Sequence, residues 1–188
     1  MCAGGIHRRY GIYPDMAVFA KSMANGYAMA AILGTEEVMQ AAQSTFVSST
    51  NWTERIGPTA ALATLKKYQE TQTDKHIISI GNKTQQIWRD AALKASLQVD
   101  VTGLPTLSAF GFKSDKSMEL NTRFSIEMLQ RGFLGFRQFK PSLAHGDAEL
   151  NKYKNAVEDV FLLLSKLPND EIISSPVAHT GLHRLTKE

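Results

Sequence analysis

Lys21 is the residue in this sequence with the clearest chemical opportunity. It closes the apolar run 16–20 and enters a connection marked by Asn25-Gly26, after which a second apolar run, 29–33, closes on Gly34. An amine at a strand end beside a glycine-containing turn can be held partly desolvated, and desolvation frees its lone pair to form a Schiff base with a carbonyl ligand. The bland alternative is a surface lysine ending a strand, and taken alone the pattern favours it. Other candidates are weaker. His145 has the type of a general acid or base, but its place just before Asp147, read as a helix cap, suits loop and cap hydrogen bonding better. His179 and His183, spaced i and i+4, lack a nearby third ligand and flank Gly181, so no metal site is expected. Arg137 is a candidate for holding a carboxylate by a bidentate pair, set against the alternative of a surface strand residue.

These residues need elements to place them. The runs 16–20 and 29–33 read as short buried strands. Thr35-Glu36-Glu37 reads as a helix start, an oxygen cap with acids in the first turn, running to about Gln43. Residues 44–52 are rich in Ser, Thr and Asn and read as a loop. Thr53-Glu54-Arg55 then opens an Ala/Leu-rich helix to about Tyr68, with Gly57-Pro58 in the first turns, where proline costs least. Asp74 is expected to cap a long helix to about Ala95. Beyond it the reading is β over 99–112, helix over 119–130, β over 133–139 and helix over 147–167. The expected organisation is therefore 1–72 as part of a larger α/β domain, 73–95 as a connecting helix and 96–188 as a small α+β domain.

Composition bounds the function classes. The 188 residues carry 21 Lys+Arg and 18 Asp+Glu, a net charge of +3, with 43% hydrophobic and 21% charged residues. That is ordinary globular usage and excludes a disordered or collagen-like chain. No block of like charge appears, so nucleic acid is not implied. No apolar run approaches the roughly 18 to 20 residues that cross a bilayer. The single cysteine, Cys2, cannot form an intramolecular disulfide and fits a reducing compartment. A cytoplasmic location is expected, with no membrane association.

Residues 10–34 contain Gly11-Ile-Tyr-Pro14-Asp15, a strand, Lys21, Asn25-Gly26 and a strand of small residues. In this order and spacing the segment resembles the Schiff-base segment of the class III pyridoxal-phosphate aminotransferases. Residues 46–65, containing Ser49-Thr50 and Ala63-Thr64-Leu65, are similar to that family's loop and following helix, in which a threonine contacts the cofactor phosphate across a subunit boundary. The chain has Thr53-Glu54-Arg55 where the family commonly reads Gly-Asn-Pro. Residues 128–134 and 142–147 resemble the small domain of the branch containing glutamate-1-semialdehyde aminomutases.

The resemblance implies a partial fold type I transferase large domain followed by a small α+β domain. It also implies pyridoxal 5′-phosphate as cofactor, Lys21 as catalytic Schiff-base lysine, and Ser49 and Thr50 as cofactor-binding residues. The implied assembly is a homodimer with composite sites, acting on a small-molecule amino donor and carbonyl acceptor as a transaminase or an aminomutase. Physically, hydroxyl and amide groups of Ser49-Thr50 just before a helix suit a phosphate dianion.

The family's Asp-Glu-(Val/Ile) strand end, whose aspartate pairs with the pyridine nitrogen, its glycine-rich loop and its ring-stacking aromatic find no match in this sequence. Asp15, six residues before Lys21, is too close along the chain to replace that aspartate. The expectation is an N-terminally truncated chain that turns over little by itself. A catalytically silent fragment with a dimerisation or assembly role is the alternative reading.

Overall fold

The structure, a computed structural model, describes residues 4–168, 170–173 and 176–178. Two compact units divide between Lys75 and His76.

In the N-terminal unit, β1 (Met16–Phe19) and β2 (Ala31–Gly34) pair antiparallel, Met16 opposite Gly34 and Phe19 opposite Ala31. These strands were expected to be buried. Instead Met16, Val18, Ile32 and Leu33 are exposed, and only Ala17, Phe19 and Ala31 of the hairpin are half-buried, since the short helix that follows packs chiefly on β2. Helix α1 (Glu36–Ala42) follows Thr35, whose hydroxyl makes no capping bond, and Glu36 and Glu37 lie in its first turn as read from the sequence. Helix α2 (Ile56–Glu70) packs on the connection between the two strands.

Helix α3 (Thr73–Lys94) begins one residue before the expected cap Asp74. From His76 onward it belongs to the C-terminal unit, into whose core it sends Trp88, Ala91 and Ala92. There β3 (Val99–Leu104), β4 (Leu107–Phe112) and β5 (Gln138–Phe139) form a three-stranded antiparallel sheet in chain order. The stretch 133–139, expected to be strand throughout, pairs only at Ser108 opposite Phe139 and Ala109 opposite Gln138. Helices α4 (Ser117–Gln130) and α5 (Asp147–Leu164) pack against each other, and α4 packs on β4.

The core is aromatic and follows from strand alternation: Ser108, Phe110 and Phe112 of β4 all face inward. The ring of Phe110 lies 4.9 Å from Trp88, 5.1 Å from Phe124 and 5.6 Å from Phe161 between centres. Trp88 Nε1 donates to the hydroxyl of Tyr153 at 2.9 Å, so the one polar atom of the indole is satisfied inside the core. No helix among the described residues is long and apolar enough to cross a membrane.

Candidate functional site around Lys21

The connection between β1 and β2 is built from left-handed residues. Ala20 is still extended; Lys21 then turns to φ 57°, Asn25 to φ 48° and Gly26 to φ 104°. Asparagine and glycine take this region readily, but lysine does so at a cost of roughly 1 to 2 kcal/mol. Residues Lys21–Ala24 form a single 3-10 turn, held by Met23 N–H on Ala20 C=O at 3.4 Å and by Asn25 N–H on Ser22 C=O at 3.2 Å.

The turn is anchored from one side. Ala24 is completely buried, and the other buried residues among those described in this unit, Gly57 and Ala61, lie on α2. A Cβ on Gly57 would sit 2.7 Å from the carbonyl oxygen of Ala28, so only glycine lets the first turn of α2 come this close. The opposite side is open. Lys21, Ser22, Asn25, Tyr27 and Ala28 line a shallow depression of about 430 Å³. Lys21 is exposed rather than partly desolvated as the sequence suggested, and no carboxylate lines the depression.

Ser49 and Thr50 do not line it. Both are exposed in the loop before α2, where Ser49 Oγ accepts the Asn51 N–H at 3.2 Å and Thr50 has no hydrogen-bond partner among the described residues. The helix does not start just after them. It starts at Ile56, and its leading amides are already engaged: Glu54 accepts from Ile56 N–H at 2.6 Å and from Gly57 N–H at 3.2 Å. The leading amides of α2 are therefore taken by a carboxylate of the chain itself, which leaves the Ser49 and Thr50 hydroxyls and their loop as what this segment offers a phosphate. An acid at this position was legible as a first-turn residue, but its role as the cap was missed.

The remaining candidates lie elsewhere. His145, in the C-terminal unit, takes the Ser142 N–H on Nδ1 at 3.0 Å, the loop role expected of it. The cap of α5 is Gly146 rather than Asp147, and Glu149 accepts the Gly146 N–H at 3.0 Å. The Glu149 backbone amide, and after it the Gly146 N–H, hold the Glu149 carboxyl below the usual range. Asp147 instead takes a hydrogen bond from Lys83 at 2.6 Å, which with the lysine charge lowers its pKa. The Arg137 guanidinium lies 5.7 Å from the ring centre of Phe136, while its carbonyl accepts the Phe110 N–H at 2.9 Å. His179 and His183 lie outside the described residues. Among the described residues, no three His, Cys, Asp or Glu side chains gather as a metal site would require.

Residues 4–161 match the family model of the class-III aminotransferases. The chain belongs to this family. A 3-aminobutyryl-CoA aminotransferase from Cloacimonas acidaminovorans is 28% identical over 76% of the chain and 37% of its own length. A glutamate-1-semialdehyde 2,1-aminomutase from Methanocaldococcus jannaschii is 26% identical over 86% of the chain and 42% of its own length. The fold matches the internal aldimine form of the FumI protein of Sphingopyxis sp. MTA144, with a TM-score of 0.79 and 23% identity over 84% of this chain and 39% of that one. An omega-transaminase from Sphaerobacter thermophilus matches with a TM-score of 0.76 and 17% identity, over 87% and 41% of the two chains. The mixed helix and sheet architecture is thus part of the transaminase fold. The chain spans well under half the length of these relatives.

Proposed function

We propose that this chain carries the lysine of a pyridoxal-phosphate-dependent amino-group transfer, of transaminase or 2,1-aminomutase type, on a small amino donor and a carbonyl acceptor. The observation that supports this best is the backbone of Lys21. A non-glycine residue is kept in the left-handed region, at an energetic cost, beside an open depression, and strain of this kind gathers at functional positions.

The residues fit the cofactor at its aldehyde end, because an exposed primary amine on a rigid turn is the nucleophile an aldehyde requires. Bound pyridoxal phosphate supplies the electron sink that makes the substrate Cα–H acidic. The role of Lys21 is then twofold. Its Nζ would hold the cofactor at the aldehyde end, and as a free amine it would take the proton from the substrate Cα. The turn built by Asn25 and Gly26, pinned through Ala24 to α2, fixes where that amine starts.

Thr50 is assigned to the phosphate of a second subunit's site. Its free hydroxyl is away from the Lys21 depression, and the exposed Phe46, Trp52 and Leu62 around that loop and helix suit contact with a second copy. Thr50→Ala is expected to weaken retention of the cofactor by about 1 to 3 kcal/mol, measured by dialysis against buffer, the cost of a charged hydrogen bond lost with its acceptor left in place.

The test of the lysine is direct. Incubation with pyridoxal phosphate and sodium borohydride converts a lysine that engages the aldehyde into a stable secondary amine. Peptide mapping is expected to find the pyridoxyl group on the peptide containing Lys21, and Lys21→Ala to remove it. Even labelling across the exposed lysines would overturn the assignment. Because no carboxylate lines the depression, the chain by itself is expected to label without turning over at ordinary rates, on the order of 1 per second.

A further inference from the structure

His145 has a second nitrogen that the loop does not use. Its Nδ1 accepts from the Ser142 N–H at 3.0 Å and lies 3.0 Å from the Ser142 Oγ, so the ring proton must sit on Nε2. Among the described residues Nε2–H has no acceptor. The ring is held from two further sides: it packs on Phe139 with centres 4.9 Å apart, and the His145 carbonyl oxygen lies 3.0 Å from His76 Nε2. This is an oriented donor on a fixed loop.

It stands in the wall of a cavity of about 420 Å³ inside the C-terminal unit. Phe133, Phe139 and Tyr153 supply aromatic faces, and Lys140 lines the same space with an exposed ammonium that has no partner among the described residues. An apolar cavity of several hundred Å³ with a few convergent polar groups is the ordinary form of a small-molecule site. The polar groups choose the ligand. A neutral N–H and a cation both seek an acceptor, and the aromatic wall seeks an apolar body.

The one carboxylate in the lining, Glu149, is engaged with the Gly146 N–H at the start of α5. Its charge answers the helix terminus and is not free to select a cation.

We propose that this cavity binds a small amphipathic carboxylate, its apolar body against Phe133, Phe139 and Tyr153 and its oxygens on His145 Nε2–H and Lys140 Nζ. The site lies within the C-terminal unit and does not depend on the role assigned to Lys21.

The probe is 3-phenylpropionate, titrated into the isotope-labelled chain and followed by the backbone amide signals. Saturable shifts are expected at residues 133–153, with affinity in the millimolar range or tighter, as suits so small a ligand. Lys140→Ala, at an exposed position, and the uncharged 3-phenylpropanol are each expected to weaken binding by roughly fivefold or more, the loss of one charge-assisted hydrogen bond. His145→Asn keeps an acceptor for Ser142, but its shorter amide cannot place an N–H where Nε2 stands, and it should weaken binding similarly. Lys21→Ala should leave it unchanged. Scattered or unsaturable shifts, equal affinity for the alcohol, or tighter binding of 3-phenylpropylamine would each overturn the proposal, the last because it would show that Glu149 selects a cation.

Discussion

Lys21 contributes opposing effects to stability and to chemistry. Replacing it by glycine removes a left-handed strain of roughly 1 to 2 kcal/mol and adds backbone entropy to the unfolded chain worth about 0.5 to 1 kcal/mol. Lys21→Gly is therefore expected to unfold at an unchanged or slightly higher denaturant midpoint while losing all pyridoxyl labelling. A drop of several kcal/mol would mean that the lysine side chain supports the fold.

Glu127 behaves in the opposite way. Burial alone would raise its pKa, but hydrogen bonds from Arg131 Nη1 at 2.7 Å and Arg123 Nε at 2.8 Å, with both charges, lower it overall. A carboxylate whose folded pKa is depressed adds stability above its unfolded value, near 4.3, and loses it as pH falls through the folded value. Glu127→Gln should thus cost about 1 to 3 kcal/mol at pH 7 and progressively less below pH 4, read from denaturant curves at each pH. The position of Lys21 was legible from the order of strand, lysine and Asn-Gly. Its backbone conformation was not, because lysine has no preference for the left-handed region that would signal it.

Among the elements, α3 shows why propensity and packing must be weighed together. Gly81 lies buried in the helix interior, where alanine would ordinarily gain up to about 1 kcal/mol. A Cβ there would collide with the backbone carbonyl of Pro105 in the β3–β4 turn, and a backbone atom cannot swing aside. Gly81→Ala is expected to destabilise by about 1 to 3 kcal/mol, and a stabilised variant would show that the turn shifts freely. Helices α3, α4 and α5 were legible because their apolar positions recur at helical spacing. The stretch 133–139 was not, because Gly132 and Gly135 interrupt it and pairing begins only where Phe110 N–H meets Arg137 C=O. The start of α2 was misplaced for a related reason: Thr53-Glu54-Arg55 has the composition of a first turn, yet Glu54 serves as the cap from outside the helix.

At the scale of the molecule the two units differ in what they bury. Trp88, Phe124, Met128, Val157, Val160 and Phe161 of the C-terminal unit are fully enclosed, whereas among the described residues of the N-terminal unit only the small Ala24 is. Val18 and Leu33 remain 63% and 60% exposed on the β1–β2 hairpin. The apolar runs were read correctly as strands, but burial depends on a covering layer that a run of sequence does not specify. An isolated two-stranded hairpin is marginal in water, while a helix and strand core of this kind protects its amides up to the global stability. Native-state hydrogen exchange should therefore find the β1–β2 amides open to solvent by low-energy fluctuations. The amides of Phe110, Phe124 and Val157 should exchange last. Adding denaturant below the main transition should leave the hairpin rates nearly constant, because local opening exposes little new surface, and should accelerate the core amides steeply. Equal protection and equal denaturant dependence in both sets would show one cooperative unit, in which the exposed strands draw their stability from the aromatic core.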